Sequence, residues 1–500
     1  MKFAPIVMSL LAAAIIYAPA ADAAPSAKLS GSSIQIREAV DDNAISVINA
    51  EKAKLKKGLA VSLEKIGDAD LAKLCEAFPD IVELRLSSSK QLTSIAPVAK
   101  LTKLKAFSGS SLDGVQDFSP LAGLTELTKI DVSSEGMTGD LKWMSGLTKL
   151  SSVNIGAKNL TSFEGIPSLP ALKSASFHHA TPADLTPLVT SLPNLTSLHL
   201  NYCNLADLAP LAKLANLNYL SLYGATVADF SPLAQSPKLK KLTYYAVKSE
   251  NFASLGALKQ VSELDGGLTK LADISWIAEL PNLKTFDVFA EHVTDYSPLT
   301  KTNVENFTIW NMRTPAGDLG VIGQMPMLKK LKLWSVEGAT NSIGLASLAN
   351  LESFTITTDF NKKGGEAFDL AATAGWNKVR DISIEGADLI NADKIGALPE
   401  LMQARLSKVN QKSGAAFDIS GFAQAPKLNL LTIYDSTISG FEKLSNPKMR
   451  RISLRNVKGI TSLEGLKSCP DLYQIEIQNC PDIPDSALQG FNSKVKITKR

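Results

Sequence analysis

The chain has four histidines, and two of them, His178 and His199, have the residue type for metal binding or proton transfer. A closed metal site needs further ligands, and no cysteine, histidine or carboxylate is spaced to complete one around this pair. His179 is expected to point inward or sideways, and His292 to sit in a turn. There is no His-Glu-x-x-His element, no phosphate-cradling glycine loop and no nucleophile elbow. Aspartates recur instead in the pattern Asp-apolar-x-Pro-Leu, at Asp117, Asp184, Asp207, Asp229 and Asp295. Proline pre-sets φ for a tight helical turn, and the carboxylate accepts backbone N–H groups at its start, so these aspartates read as caps. The reading is therefore non-catalytic, with no metal and no cofactor.

The side chains must be positioned by a repeat. The hexad L-x-x-L-x-L recurs as Ile81-x-x-Leu84-x-Leu86, Leu195-x-x-Leu198-x-Leu200, Leu217-x-x-Leu220-x-Leu222, Leu328-x-x-Leu331-x-Leu333 and Met449-x-x-Ile452-x-Leu454. First apolar positions fall at 81, 104, 127, 150, 172, 195, 217, 239, 261, 283, 304, 328, 351, 379, 401, 428, 449, 472 and 495, a mean step of (495 − 81)/18 = 23 residues. A fixed period of this size with this hexad predicts a leucine-rich-repeat solenoid. Each coil contacts only its neighbours, so 500 residues do not imply several domains. The expected fold is an α/β repeat, a right-handed solenoid with a parallel concave sheet and short helical or 3-10 turns on the convex side. Residues 24–80 are expected to form an N-terminal helical cap, with a helix over Asp68–Ala77. Repeats follow over 81–471, and 472–500 supply a C-terminal repeat and cap.

Counting the first apolar residue of each hexad as position 0, positions 0, 3 and 5 are buried and positions 2, 4 and 6 face outward. The early coils show Ser108, Ser110, Ser152, Asn154, Ser174 and Ser176 there. In the middle coils, position 6 reads His178, Asn201, Tyr223, Tyr245, Gly267, Phe289, Trp310 and Trp334. Position 4 adds His199 and position 2 adds Tyr219. Lys241, Glu263, Asp265, Asp287, Lys330 and Lys332 flank them. Aromatic residues make up only 6% of the chain, so their gathering in one outward column marks a candidate binding surface. The competing reading is that the rings stack on each other and stabilise the sheet. A protein ligand suits the length of the surface, and a glycan is also possible, since sugar rings stack on Trp and Tyr.

Two steps are long, from 351 to 379 and from 401 to 428. Their extra residues resemble each other, Lys363-Gly-Gly-Glu-Ala-Phe368 and Lys412-Ser-Gly-Ala-Ala-Phe417. They are either a binding edge or a duplicated pair whose phenylalanines pack inward.

The repeats resemble those of internalin-type bacterial surface proteins, whose consensus is L-x-x-L-x-L-x-x-N-x-I-x-D-I-x-P-L-x-x-L. Leu195 to Leu217, LTSLHLNYCNLADLAPLAKLANL, matches it closely, and the likeness covers most of 81–500. The buried Asn column of that consensus is mostly replaced, by Ser89, Cys203, Ala225, Glu291 and Cys480. The resemblance implies recognition of a surface protein on a host or neighbouring cell. The alternative is a periplasmic or envelope binder of polysaccharide or envelope protein.

Lys2, the apolar stretch from Ile6 to Tyr17, and the small-residue sites Ala18-Pro-Ala20 and Ala21-Asp-Ala23 predict a signal peptide over 1–23. The apolar run is short for a span of about 20 residues. A secreted or periplasmic chain without membrane insertion after cleavage is expected. The net charge of +3 gives no electrostatic argument for nucleic acid. Cys203 and Cys480 lie 12 coils, or roughly 60 Å, apart and cannot bond. Cys469 and Cys480 are on adjacent coils and are the one pair left open. Buried free thiols are the preferred reading for all four cysteines.

Overall fold

The structure, a computed structural model, describes residues 27–500 except 138–139, 206, 269–270, 290, 313–317, 337–339, 359–366, 392–397 and 412–413. The signal-peptide reading and most of the first long insertion lie outside the described residues. Each hexad becomes a strand, because alternation of apolar and polar residues suits a sheet with one covered face. Among the described residues the strands form one sheet of 22, and from Ser33–Arg37 onward every neighbouring pair in it is parallel. The register keeps like positions in line. Leu220 stands opposite Leu198 on one side and Leu242 on the other, and Leu264 follows. These leucines are buried, as part of one core that runs from Ala27 to Ile483.

Short 3-10 turns return the chain between strands. Ala209–Lys213, Ser231–Gln235 and Ser297–Lys301 each carry proline in the first turn and bury Leu211, Leu233 and Leu299. The aspartate two residues ahead accepts the first backbone N–H: Asp207 from Ala209 at 2.8 Å, Asp229 from Ser231 at 3.0 Å, Asp295 from Ser297 at 2.8 Å. The serine hydroxyl and backbone N–H that Asp229 accepts hold its carboxyl below the usual range. These carboxylates are committed to the turns.

In place of the Asn column, smaller groups satisfy the backbone. Ser89 Oγ accepts the N–H of Ile66 at 3.1 Å, and Ser436 Oγ accepts that of Val409 at 3.1 Å. The Cys203 thiol donates to the carbonyl of Phe177 at 3.6 Å. All four cysteines are buried free thiols, Cys469 and Cys480 included, and burial pushes those of Cys75 and Cys203 up to about 12.

At the N-terminal end, Ala27–Ser30 and Ser33–Arg37 form an antiparallel hairpin. The helix Asp42–Glu51, capped by Asp41 onto the N–H of Ala44 at 2.7 Å, buries Ala44 and Ile48. The strand Ser33–Arg37 pairs in parallel with Leu59–Glu64, so the ladder begins two strands ahead of residue 81. A second helix spans Asp68–Ala77 and buries Leu71, Leu74 and Cys75. In the long repeats, Phe368 and Phe417 are both buried, and Phe368 packs 5.4 Å from Phe354. The phenylalanines of both long repeats thus pack inward.

Candidate functional site

One backbone feature, absent from the simple alternation, organises the concave surface. The residue at position 7, just past the strand, takes positive φ in coil after coil: His179 (63°), Tyr202 (56°), Gly224 (65°), Ala246 (55°), Leu268 (52°), Asn311 (55°) and Ser335 (55°). In this conformation its N–H reaches the position-6 carbonyl of the following coil. His179 donates to Asn201 at 3.0 Å, Tyr202 to Tyr223 at 2.6 Å, Gly224 to Tyr245 at 2.8 Å and Asn311 to Trp334 at 2.8 Å. The ladder thus continues one residue beyond the strands, and position 7 turns its side chain to the rim. His179 is exposed at the rim, so of the inward and sideways placements expected for it the inward one is overturned.

Positions 6 and 7 together make a ledge. His179 stacks on Tyr202 at 4.9 Å and 9°, and Tyr202 meets Tyr223 edge-on at 5.1 Å and 71°. Tyr223 stacks on Tyr245 at 5.1 Å and 6°. Farther along, Trp310 stacks on Trp334 at 5.4 Å and 10°, with Phe289 opposite Trp310 in register. Two glycines make room for the leaning rings: a Cβ at Gly224 would overlap Tyr202, and one at Gly267 would overlap Tyr245. Tyr202, Leu268 and Trp310 are 48%, 49% and 40% exposed, large values for apolar side chains. Tyr223, Tyr245, Phe289 and Trp334 are half-buried. The ledge spans eight coils, about 34 Å at about 4.8 Å per strand.

Inside the ledge lies a polar strip. His199 meets Tyr219 edge-on at 5.0 Å, and Lys241 Nζ lies 5.6 Å from the centre of the Tyr219 ring. Lys241 also pairs with Glu263 at 3.3 Å. Ser176 Oγ is 2.9 Å from His178 Nε2, and Ser197 Oγ is 3.1 Å from His199 Nε2. Each serine precedes its histidine by two residues on one strand, so the contact follows from the pleat and not from a built nucleophile. Burial lowers both imidazoles below their ordinary value. The charge of His179 adds to this at His178, and that of His178 at His199. Among the described residues no group of three metal-ligating side chains includes them. Asp265 and Asp287 stand opposite one another, and burial raises both carboxyls.

All eight residues singled out by the sequence, His178, His199, Tyr219, Tyr223, Tyr245, Phe289, Trp310 and Trp334, therefore share one face. Sequence reasoning missed Tyr202 and Leu268, because an alternation rule stops at the strand end. The signal was present in their own column, where Gly224, Asn311, Asn456 and Asn479 are types that favour positive φ.

A family model for leucine-rich repeats, in two copies, matches residues 193–235. No curated protein matches the sequence at a significant level. Among solved structures, an internalin from Listeria monocytogenes is 25% identical, over 56% of this chain and 81% of that one, with a TM-score of 0.40. A leucine-rich-repeat protein of Leptospira interrogans is 16% identical over 86% of this chain and 99% of its own, with a TM-score of 0.47. The structure of a TLR13–ssRNA13 complex is 16% identical over 91% of this chain and 79% of that one, with a TM-score of 0.58. The chain folds as a leucine-rich-repeat solenoid.

Proposed function

We propose that this protein is a secreted, non-catalytic recognition module that binds a protein along the aromatic ledge. The observation that carries the reading is the ledge itself. Tyr202, Leu268 and Trp310 remain 48%, 49% and 40% exposed on a face whose backbone is stitched from coil to coil. Large apolar side chains held in water on a rigid support are what interface anchors require. A protein is favoured over a glycan because the rings stack on one another. Tyr223 and Tyr245, and Trp310 and Trp334, each spend one face on a neighbour and offer mainly edges, whereas a sugar needs an open face. By likeness to internalins, the partner is a surface protein of a host or neighbouring cell. A chain retained in the periplasm would bind an envelope protein through the same ledge.

The test is a pull-down with residues 24–500, offering host-cell surface extract and the producer's own envelope extract to wild type and to the Trp310→Ala/Trp334→Ala chain. A protein captured from host extract by wild type alone supports the first reading. Capture from the envelope alone selects the second. Equal capture by both chains removes the ledge from the account.

A further inference from the structure

Three repeats beyond Trp334 the concave face changes character. The strands Gln403–Ser407, Leu430–Tyr434 and Arg451–Arg455 are consecutive in the sheet. Tyr434 ends the middle one at position 6. Arg455 stands opposite it in register, its Cζ 5.0 Å from the ring centre. Arg405 reaches the ring from the other neighbouring strand, its Cζ at 5.5 Å. It crosses from position 4 beside Ser407, which is small and buried. Two guanidiniums thus flank one tyrosine from either side.

Of the nearby carboxylates, two are already engaged, and Glu385, opposite Ser407 in register, makes no ion pair with Arg405 among the described residues. Glu476 accepts from Arg451 at 2.8 Å and from Gln474 at 2.8 Å. Asp435 accepts from Asn456 at 2.6 Å. Among the described residues neither Arg405 nor Arg455 has a carboxylate within salt-bridge distance, and both are exposed. A guanidinium laid on a ring keeps its N–H edge free, pre-aligned for bidentate bonding to a planar anion. The Cζ atoms lie 5.5 and 5.0 Å from the ring centre on its two sides, so the ring stands between the two edges and keeps one phosphate or sulfate from joining them. An extended segment can cross the ring and present one carboxylate to each edge, since its alternate residues stand about 6.6 Å apart on flexible side chains.

We propose that Arg405, Tyr434 and Arg455 form a binding site for two carboxylates of an extended acidic peptide segment. The site is separate from the ledge and stands or falls without it.

The probe is a fluorescein-labelled deca-glutamate peptide, titrated into the purified chain and read by anisotropy, with deca-glutamine as the uncharged control. Saturable binding of deca-glutamate alone is expected. R405Q/R455Q should weaken it by at least about tenfold, the scale of two charge-assisted contacts. R405K/R455K keeps both charges but loses the planar edge, and should recover only part of the affinity. Y434A should weaken binding although it removes no charge. Unchanged thermal unfolding checks the fold of each variant, and R455Q alone replaces any double variant that unfolds. Equal binding by wild type and R405Q/R455Q would overturn the proposal. So would an equal loss in K330Q/K332Q, which would mean diffuse attraction. Tighter binding of a sulfated hexasaccharide than of the peptide, lost in the same variants, would give the site to a sulfated glycan and overturn the peptide reading.

Discussion

The ring of Tyr245 lies over Gly267, the next residue of its own column, in space that a single Cβ would fill. The gap in the aromatic column is therefore occupied by the preceding ring. Gly267 has an ordinary negative φ, so its backbone accepts a side chain. Gly267→Val should force Tyr245 outward and break its stack on Tyr223. The expected cost is about 1 kcal/mol, at the low end for overpacking because the ring can swing into solvent. Near-UV circular dichroism in the tyrosine band should fall, and partner affinity with it. An unchanged spectrum would mean that the glycine does not position the ring.

Leu268 is both half-exposed and held at φ 52°, a conformation that costs a branched side chain roughly 1–2 kcal/mol. Leu268→Gly should relieve most of that strain and, after glycine's entropic cost, raise the melting temperature by about one degree. If Leu268 anchors the partner, the same substitution weakens binding. A chain that becomes more stable and binds less well separates the two roles. Lower stability would contradict the strain argument.

Leu198 and the two tryptophans test which face is which. Leu198 is fully buried between Ala175 and Leu220 in register. Leu198→Asp puts an unpaired charge in the core and should cost at least about 4 kcal/mol, seen as a collapsed urea midpoint. Trp310→Ala/Trp334→Ala removes one stacked pair from a solvated face, worth about 0.5–1.5 kcal/mol beyond its area. Comparable melting losses in the two chains would move the tryptophans into the core.

These contrasts follow how much the sequence could say. Leucines three and two apart fix which face of each strand is covered, so the register from Leu198 to Leu264 was readable from period alone. Asp207 with Pro210 and Asp295 with Pro298 were readable as turns because each residue type has one physical use there. The strand Ser33–Arg37 was not, because SIQIR carries no leucine and falls outside the 23-residue step. Tyr202 and Leu268 were not, because their exposure depends on a backbone conformation that apolar periodicity does not encode. The clamp around Tyr434 joins residues 29 and 21 positions away in the chain, and only the register brings Arg405 and Arg455 to one ring.

The half-buried histidines and aspartates on the concave face predict opposing pH effects. His178 and His199 have folded pKa values below the ordinary value of about 6.5, so the unfolded chain binds more protons in the window beneath it. Stability is then lost as the pH falls from about 6.5 towards the folded values. Asp265 and Asp287 have folded values above the ordinary one of about 3.9, so there the folded chain binds more protons. Their burial penalty is fully present at neutral pH and is relieved as acid protonates them. His178→Gln/His199→Gln should flatten the decline in melting temperature between about pH 7 and pH 5.5, and Asp265→Asn/Asp287→Asn should raise the melting temperature at pH 7. A histidine variant whose pH curve overlays that of wild type would show that neither imidazole is held neutral by the fold.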